Sequence, residues 1–172
     1  MRRTVTVRMV GPLQWIVYPA LLALALTIVL GVPLRLFGLR LPEPVLPMVL
    51  AFAWPLIRPS ILAPVVLGAC GLALDLFWYT PLGLWALSLL VVYGLVLAAR
   101  PLLAGQETSM LFVWYAGGCL LAFGLAYLIV TATAGVAPHL LGTALQVIPT
   151  LLLFPLANAM IERFDDGDVR FR

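Results

Sequence analysis

Asp75 is the residue whose type and position could carry chemistry. It lies in the stretch Gly68 to Leu87, GACGLALDLFWYTPLGLWAL, where an apolar helical run meets one carboxylate, breaks at Thr80-Pro81-Leu82-Gly83 and resumes. No other acidic residue lies well inside a hydrophobic segment. An ionisable group in a membrane span is expensive, so it faces protein or water and is a functional-site candidate by default. An aspartyl intramembrane protease needs two such carboxylates, and Asp75 has no partner, because Glu162 sits at the far end of the last apolar run. Ser88 lies in an apolar segment, but no Gly-x-Ser-x-Gly pattern surrounds any serine. The single histidine, His139, reads as a solvated loop residue. Cys70 and Cys119 are isolated thiols in apolar runs, read as small core hydrophobes rather than a disulfide or a metal pair. No His/Cys/Asp/Glu cluster has metal-ligand spacing and no glycine-rich phosphate loop occurs. No catalytic, cofactor-binding or metal-ligating set is therefore expected.

The elements that must position Asp75 are set by composition. Of 172 residues, 64% are hydrophobic and 10% charged, against about 45–50% and about 25% in a soluble domain. The expected fold class is all-α: a polytopic membrane protein, one integral domain over residues 1–172, built as a six-transmembrane-helix bundle. The expected spans are about 13–34, 45–57, 60–79, 82–99, 110–134 and 140–161. The arginines ahead of the first apolar run could mimic a signal peptide, but the run is long for one and reads as an uncleaved first span. Val45–Ile57 is short for a crossing, which needs about 20 residues. Pro47 and Pro55 punctuate it, so a kinked, tilted or partly re-entrant span is expected there.

The net charge of +3 comes entirely from arginine, and no basic stripe of the kind that binds nucleic acid exists. Six spans put both termini on one side. With that side inside, eight arginines lie inside and two, Arg35 and Arg40, outside, which satisfies the positive-inside rule. Trp15, Tyr18, Trp54, Trp78, Tyr79, Trp114 and Tyr115 fall near span ends, as interfacial belts require. Gly118, Ala122 and Ala126 share one helix face and Gly94 and Ala98 another, read as packing faces within the bundle. Gln146 and Asn158 read as amides bonded to neighbouring helices. Arg58 and Arg100, each before a proline, read as helix-end arginines that snorkel to the interface.

Counted from Arg58 at about 1.5 Å per residue, Asp75 stands roughly 25 Å up a core about 30 Å thick. There it could fold back onto the unpaired first amides of the next helix, or contact a ligand or partner directly.

The central stretch resembles the rod shape-determining protein MreD family of bacteria. The residues that carry the resemblance are Gly68, Gly71, Asp75, Pro81-Leu82-Gly83 and Ala86-Leu87, with the proline-led Pro44 to Pro59 upstream. Length and span number fit over essentially the whole chain. The acidic residues Asp165, Asp166 and Asp168 depart from the basic tail expected of the family. The resemblance implies a non-enzymatic scaffold, without cofactors, in the bacterial inner membrane with both termini cytoplasmic. It would bind MreC and work with MreB, RodA and a class B penicillin-binding transpeptidase in peptidoglycan synthesis and cell shape. The candidate structural or partner-binding residues are Asp75, Gly71, Pro81, Leu82 and Gly83. The family also looks like the substrate-binding subunits of energy-coupling-factor vitamin transporters. The alternative is therefore such a small-molecule subunit, or a lipid-binding protein, with an outward pocket near Asp75.

Overall fold

The structure, a computed structural model, describes residues 8–11, 13–31, 35–36, 39–40, 43–103, 105–135, 140–165 and 169–171. His139, Asp166 and Asp168 lie outside them. Apart from two short strand pairs the described chain is helical. A strand β1 (Arg8–Val10) is followed by a π-helical turn, Leu13–Val17, which leads into α1 (Tyr18–Leu30). Strands β2 (Arg35–Leu36) and β3 (Leu39–Arg40) pair antiparallel. Then come α2 (Pro47–Ile57), α3 (Leu62–Trp78), α4 (Leu84–Leu103), α5 (Thr108–Ala134), α6 (Leu140–Leu151) and α7 (Phe154–Asp165). A last strand, β4 (Val169–Phe171), lies parallel to β1 with Arg8 opposite Val169, so the two ends of the described chain are neighbours. Three helical stretches, Leu84–Leu103, Thr108–Thr133 and Gly142–Arg163, are long and apolar enough to cross a membrane. Gln14–Leu30, Pro47–Ile57 and Leu62–Trp78 are apolar but shorter.

Prolines set several helix boundaries. Pro19, Pro47 and Pro155 stand in the first turns of α1, α2 and α7, where a missing N–H costs nothing. Pro149 lies near the end of α6, and the helix breaks at Leu152–Leu153 before restarting as α7. The expected sixth span is thus two helices rather than one. The fourth helix does not stop at Ala99: it carries Arg100 and Pro101 inside it and ends at Leu103. Helix α1 ends at Leu30, short of the expected Leu34, with the Gly31 N–H bonded to the Thr27 carbonyl.

Helix α2 is the centre of the packing. Every residue from Pro47 to Pro55 is buried, as expected for a helix that is hydrophobic on all sides. It packs against α1, α3, α4, α5 and α7. At about 1.5 Å per residue its 11 residues reach only about half of a 30 Å core. Its start is buried as well, at Val45 and Leu46, and backbone donors there have no water to turn to. Two threonines supply the acceptors. Val45 N–H donates to Thr150 Oγ1 and Leu46 N–H to Thr27 Oγ1, each at 3.2 Å. The threonine hydroxyls pass their own protons to the carbonyls of Gln146 and Ala23. Tyr115 joins from α5, donating its hydroxyl to the Thr150 carbonyl at 2.9 Å while its ring meets Phe52 edge to face.

This packing corrects several expectations. Trp15, Trp54 and Tyr115 are buried core residues, not belt residues; closeness to a helix end does not fix which face a side chain occupies. Tyr18 and Tyr79 are exposed. The Gly118, Ala122 and Ala126 face is buried, and a methyl at Gly118 would touch Val92 at 3.3 Å and Met48 at 3.6 Å. Gly94 and Ala98 are exposed instead, so their face is not packed inside the bundle. The Asn158 amide bonds within its own helix, to Glu162 Oε1 at 2.7 Å, rather than to a neighbour. Cys70 and Cys119 are buried and free.

Candidate functional site

Asp75 occupies the last turn of α3 and is 1% exposed. Its backbone and side chain each close a helix end. The Asp75 carbonyl accepts from Tyr79 N–H and from Thr80 N–H, which terminates α3. Tyr79 is left-handed there (φ 53°), a conformation that favours glycine or asparagine at a helix C-terminus. The carboxylate turns to the start of α4. Oδ2 accepts from Gly83 N–H, and Oδ1 accepts from Trp85 N–H and from the Thr80 hydroxyl, all at 2.9 Å. Gly83 C=O receives the first bond of α4, from Leu87 N–H at 2.8 Å. The two amides are thus among those that a helix cannot satisfy by itself, at the positive end of its dipole. A negative acceptor from the preceding helix is the strongest cap available to them.

The other sequence candidates serve the same hairpin. Gly83 has φ +93°, outside the range of ordinary L-residues. Pro81 offers its carbonyl to Leu84 N–H at 3.1 Å. Leu82 points outward and is exposed. Gly71 is the closest approach of α3 to α4: a methyl there would land on the backbone of Ala86 and Trp85. The structure therefore brings Asp75, Gly71, Pro81 and Gly83 together as one clasp, with Leu82 at its outer edge.

A second feature lies at this end, where the alternative reading expects an outward pocket near Asp75. A cavity of about 240 Å³ is lined by Glu43, Trp78, Thr80, Tyr127, Thr143 and Gln146. These come from the α2 approach, the α3–α4 hairpin, α5 and α6. Trp85 and Phe123 complete an aromatic wall: Trp78 meets Trp85 with centroids 5.5 Å apart, and Trp85 meets Phe123 at 5.3 Å, both edge to face. The Gln146 amide finds no helix neighbour, contrary to expectation. The side chains of Glu43, Tyr127, Thr143 and Gln146 take no hydrogen-bond partner among the described residues. Burial raises the Glu43 carboxyl above the ordinary glutamate value. The adjacent Trp78 indole opposes that shift, although its buried N–H does not reach hydrogen-bonding geometry. In sequence the polar lining residues lie far apart, and only Thr143 and Gln146, three positions apart on α6, are linked by a helical spacing.

Ser88 returns its hydroxyl to the Leu84 carbonyl at 2.8 Å. Among the described residues no group of three His, Cys, Asp or Glu could hold a metal ion. Arg100 lines a separate cavity of about 530 Å³ with Gln106, Thr108, Asn158 and Glu162. No family model, curated protein or solved structure matches the chain.

Proposed function

We propose that this chain is a membrane scaffold of the bacterial cell-elongation machinery, of the MreD type. It binds MreC by helix contact and regulates peptidoglycan synthesis and cell shape without catalysing a reaction. It has six spans in the inner membrane, both termini cytoplasmic, and the α3–α4 turn faces the periplasm. MreB, RodA and a class B penicillin-binding transpeptidase belong to the same assembly. The observation that carries the reading is the hairpin. The residues on which the resemblance rests, Gly71, Asp75 and Pro81-Leu82-Gly83, are spent on fixing two helices against each other. A carboxylate saturated by three donors supports a structural role rather than proton transfer. The neighbouring ends of the described chain agree with an even number of crossings.

Depletion from a rod-shaped host tests the proposal. Cells should round up, wall synthesis should disperse, and MreC should co-purify with the tagged chain. A second reading, a small-molecule-binding subunit, is favoured by one observation: polar side chains from four elements converge on the hairpin-end cavity. Normal rods that lose uptake of one nutrient would replace the first reading with the second.

A further inference from the structure

We propose that the hairpin-end cavity is a binding site for a small organic ammonium group, held by the Glu43 carboxylate against the Trp78–Trp85–Phe123–Tyr127 wall. The lining selects the ligand by elimination. Among the described lining residues an anion meets no arginine or histidine, and Glu43 would repel it. A purely apolar ligand would strip water from the half-buried Glu43, Tyr127, Thr143 and Gln146 and return no hydrogen bond. A metal ion lacks ligands, because Glu43 is the one carboxylate among the lining residues. What remains is a positive, weakly hydrated group with an apolar surface. Aromatic faces attract such a cation, and a carboxylate completes the match. Gln146 and Thr143 stand on the α6 side, where they can bond a hydroxyl or ester oxygen next to the ammonium.

The cavity of about 240 Å³ is smaller than the roughly 300–1,000 Å³ of drug-sized sites. It suits a head group, not a large metabolite. A free amino alcohol and the head group of a choline or ethanolamine lipid share this chemistry. Thr80 lines the cavity and also donates to Asp75, so an occupant would touch the clasp itself. The inference stands apart from the scaffold reading, because neither MreC binding nor cell shape enters it.

The test uses the full chain in nanodiscs and follows tryptophan fluorescence and calorimetry. The probes are choline, ethanolamine and the uncharged choline isostere 3,3-dimethylbutan-1-ol. In phosphatidylglycerol discs choline should bind at least tenfold more tightly than the isostere, and acetate and phosphate should not bind. Glu43→Gln should weaken choline at least tenfold, and Trp78→Leu by several-fold. In phosphatidylcholine discs, loss of free choline binding identifies a lipid head group as the occupant; unchanged binding identifies a free amine. Equal binding of choline and its isostere, or no binding of either at millimolar concentration, overturns the proposal. So does a folded Glu43→Gln chain that binds choline as the parent does. The isostere comparison needs only the parent chain and holds even if the Glu43 variant fails to fold.

Discussion

Replacing Asp75 measures how much of the fold hangs on one cap. Asp75→Leu removes the acceptors of Gly83 N–H, Trp85 N–H and the Thr80 hydroxyl together. A donor left without an acceptor costs about 1–3 kcal/mol when buried. The Trp85 bond is buried and takes the full value, whereas the Thr80 and Gly83 bonds are part-buried and take less. About 4 kcal/mol in total follows. Asp75→Asn keeps one acceptor oxygen, which can serve Thr80 and Trp85 from the Oδ1 position. It sets an amide donor against Gly83 N–H and removes the charge facing the helix dipole, together about 2 kcal/mol. At roughly 3 °C per kcal/mol for a chain of this size, the detergent-solubilised Asn variant should melt about 6 °C lower and the Leu variant about 12 °C lower. Fluorescence-detected size-exclusion after a heating series reads both. If capping is the role, MreC co-purification follows folded protein in each variant. Equal melting of parent and Leu variant would refute the capping argument. So would two folded variants that both lose MreC, which would move Asp75 to direct contact.

Gly71→Ala should destabilise by about 1–3 kcal/mol through overpacking, because the added methyl meets Ala86 backbone that cannot step aside. Gly68→Ala, one turn earlier on α3 and 3.6 Å from a flexible Leu90 methyl, should be neutral or gain up to about 1 kcal/mol of helix propensity; the same melting assay separates the two. Thr150→Val should cost about 1–3 kcal/mol by orphaning the Val45 N–H, while Thr150→Ser keeps the acceptor and should stay near the parent. Choline affinity should rise with pH across a titration above the ordinary glutamate range. Burial favours the neutral Glu43 carboxyl in the free site, so the anion that holds the cation appears only as pH climbs past that raised value. Among the described residues Tyr127 is the other titratable group lining the cavity, and Asp75, already engaged by three donors, is reached from it through Thr80. A flat affinity between pH 4 and pH 8 would contradict the assignment of Glu43.

The hairpin was legible because its signals are local. A lone carboxylate six residues before Pro81-Leu82-Gly83 limits the donors within reach, and Gly71 sits four residues before Asp75 on the same helix face. The helical character was equally plain from the apolar runs. The position of α2 was not. Its shortness and its prolines suggested a kinked or re-entrant span, but nothing in PMVLAFAWPLI says that five other helices surround it. Trp15, Trp54 and Tyr115 were misplaced for the same reason: period and end-proximity are one-dimensional, and burial is decided by what packs opposite. A pocket near Asp75 was expected in the alternative reading, but its lining was not legible, because Glu43, Trp78, Tyr127 and Gln146 meet only in three dimensions.

The threonine acceptors at the start of α2 also bear on the order in which this chain can be built. Val45 and Thr150 are 105 positions apart, so the ribosome delivers the donor long before its acceptor. Thr27 is already present and can hold Leu46, but the Val45 amide must wait until α6 arrives. Until then α2 is half-tethered, too short to cross alone, and best kept near the interface or beside the insertion machinery. The arrival of α6 draws it inward. The segment made late is thus the one that seats the core, and a chain stopped at Leu103 would lack the Thr150 acceptor of its Val45 amide.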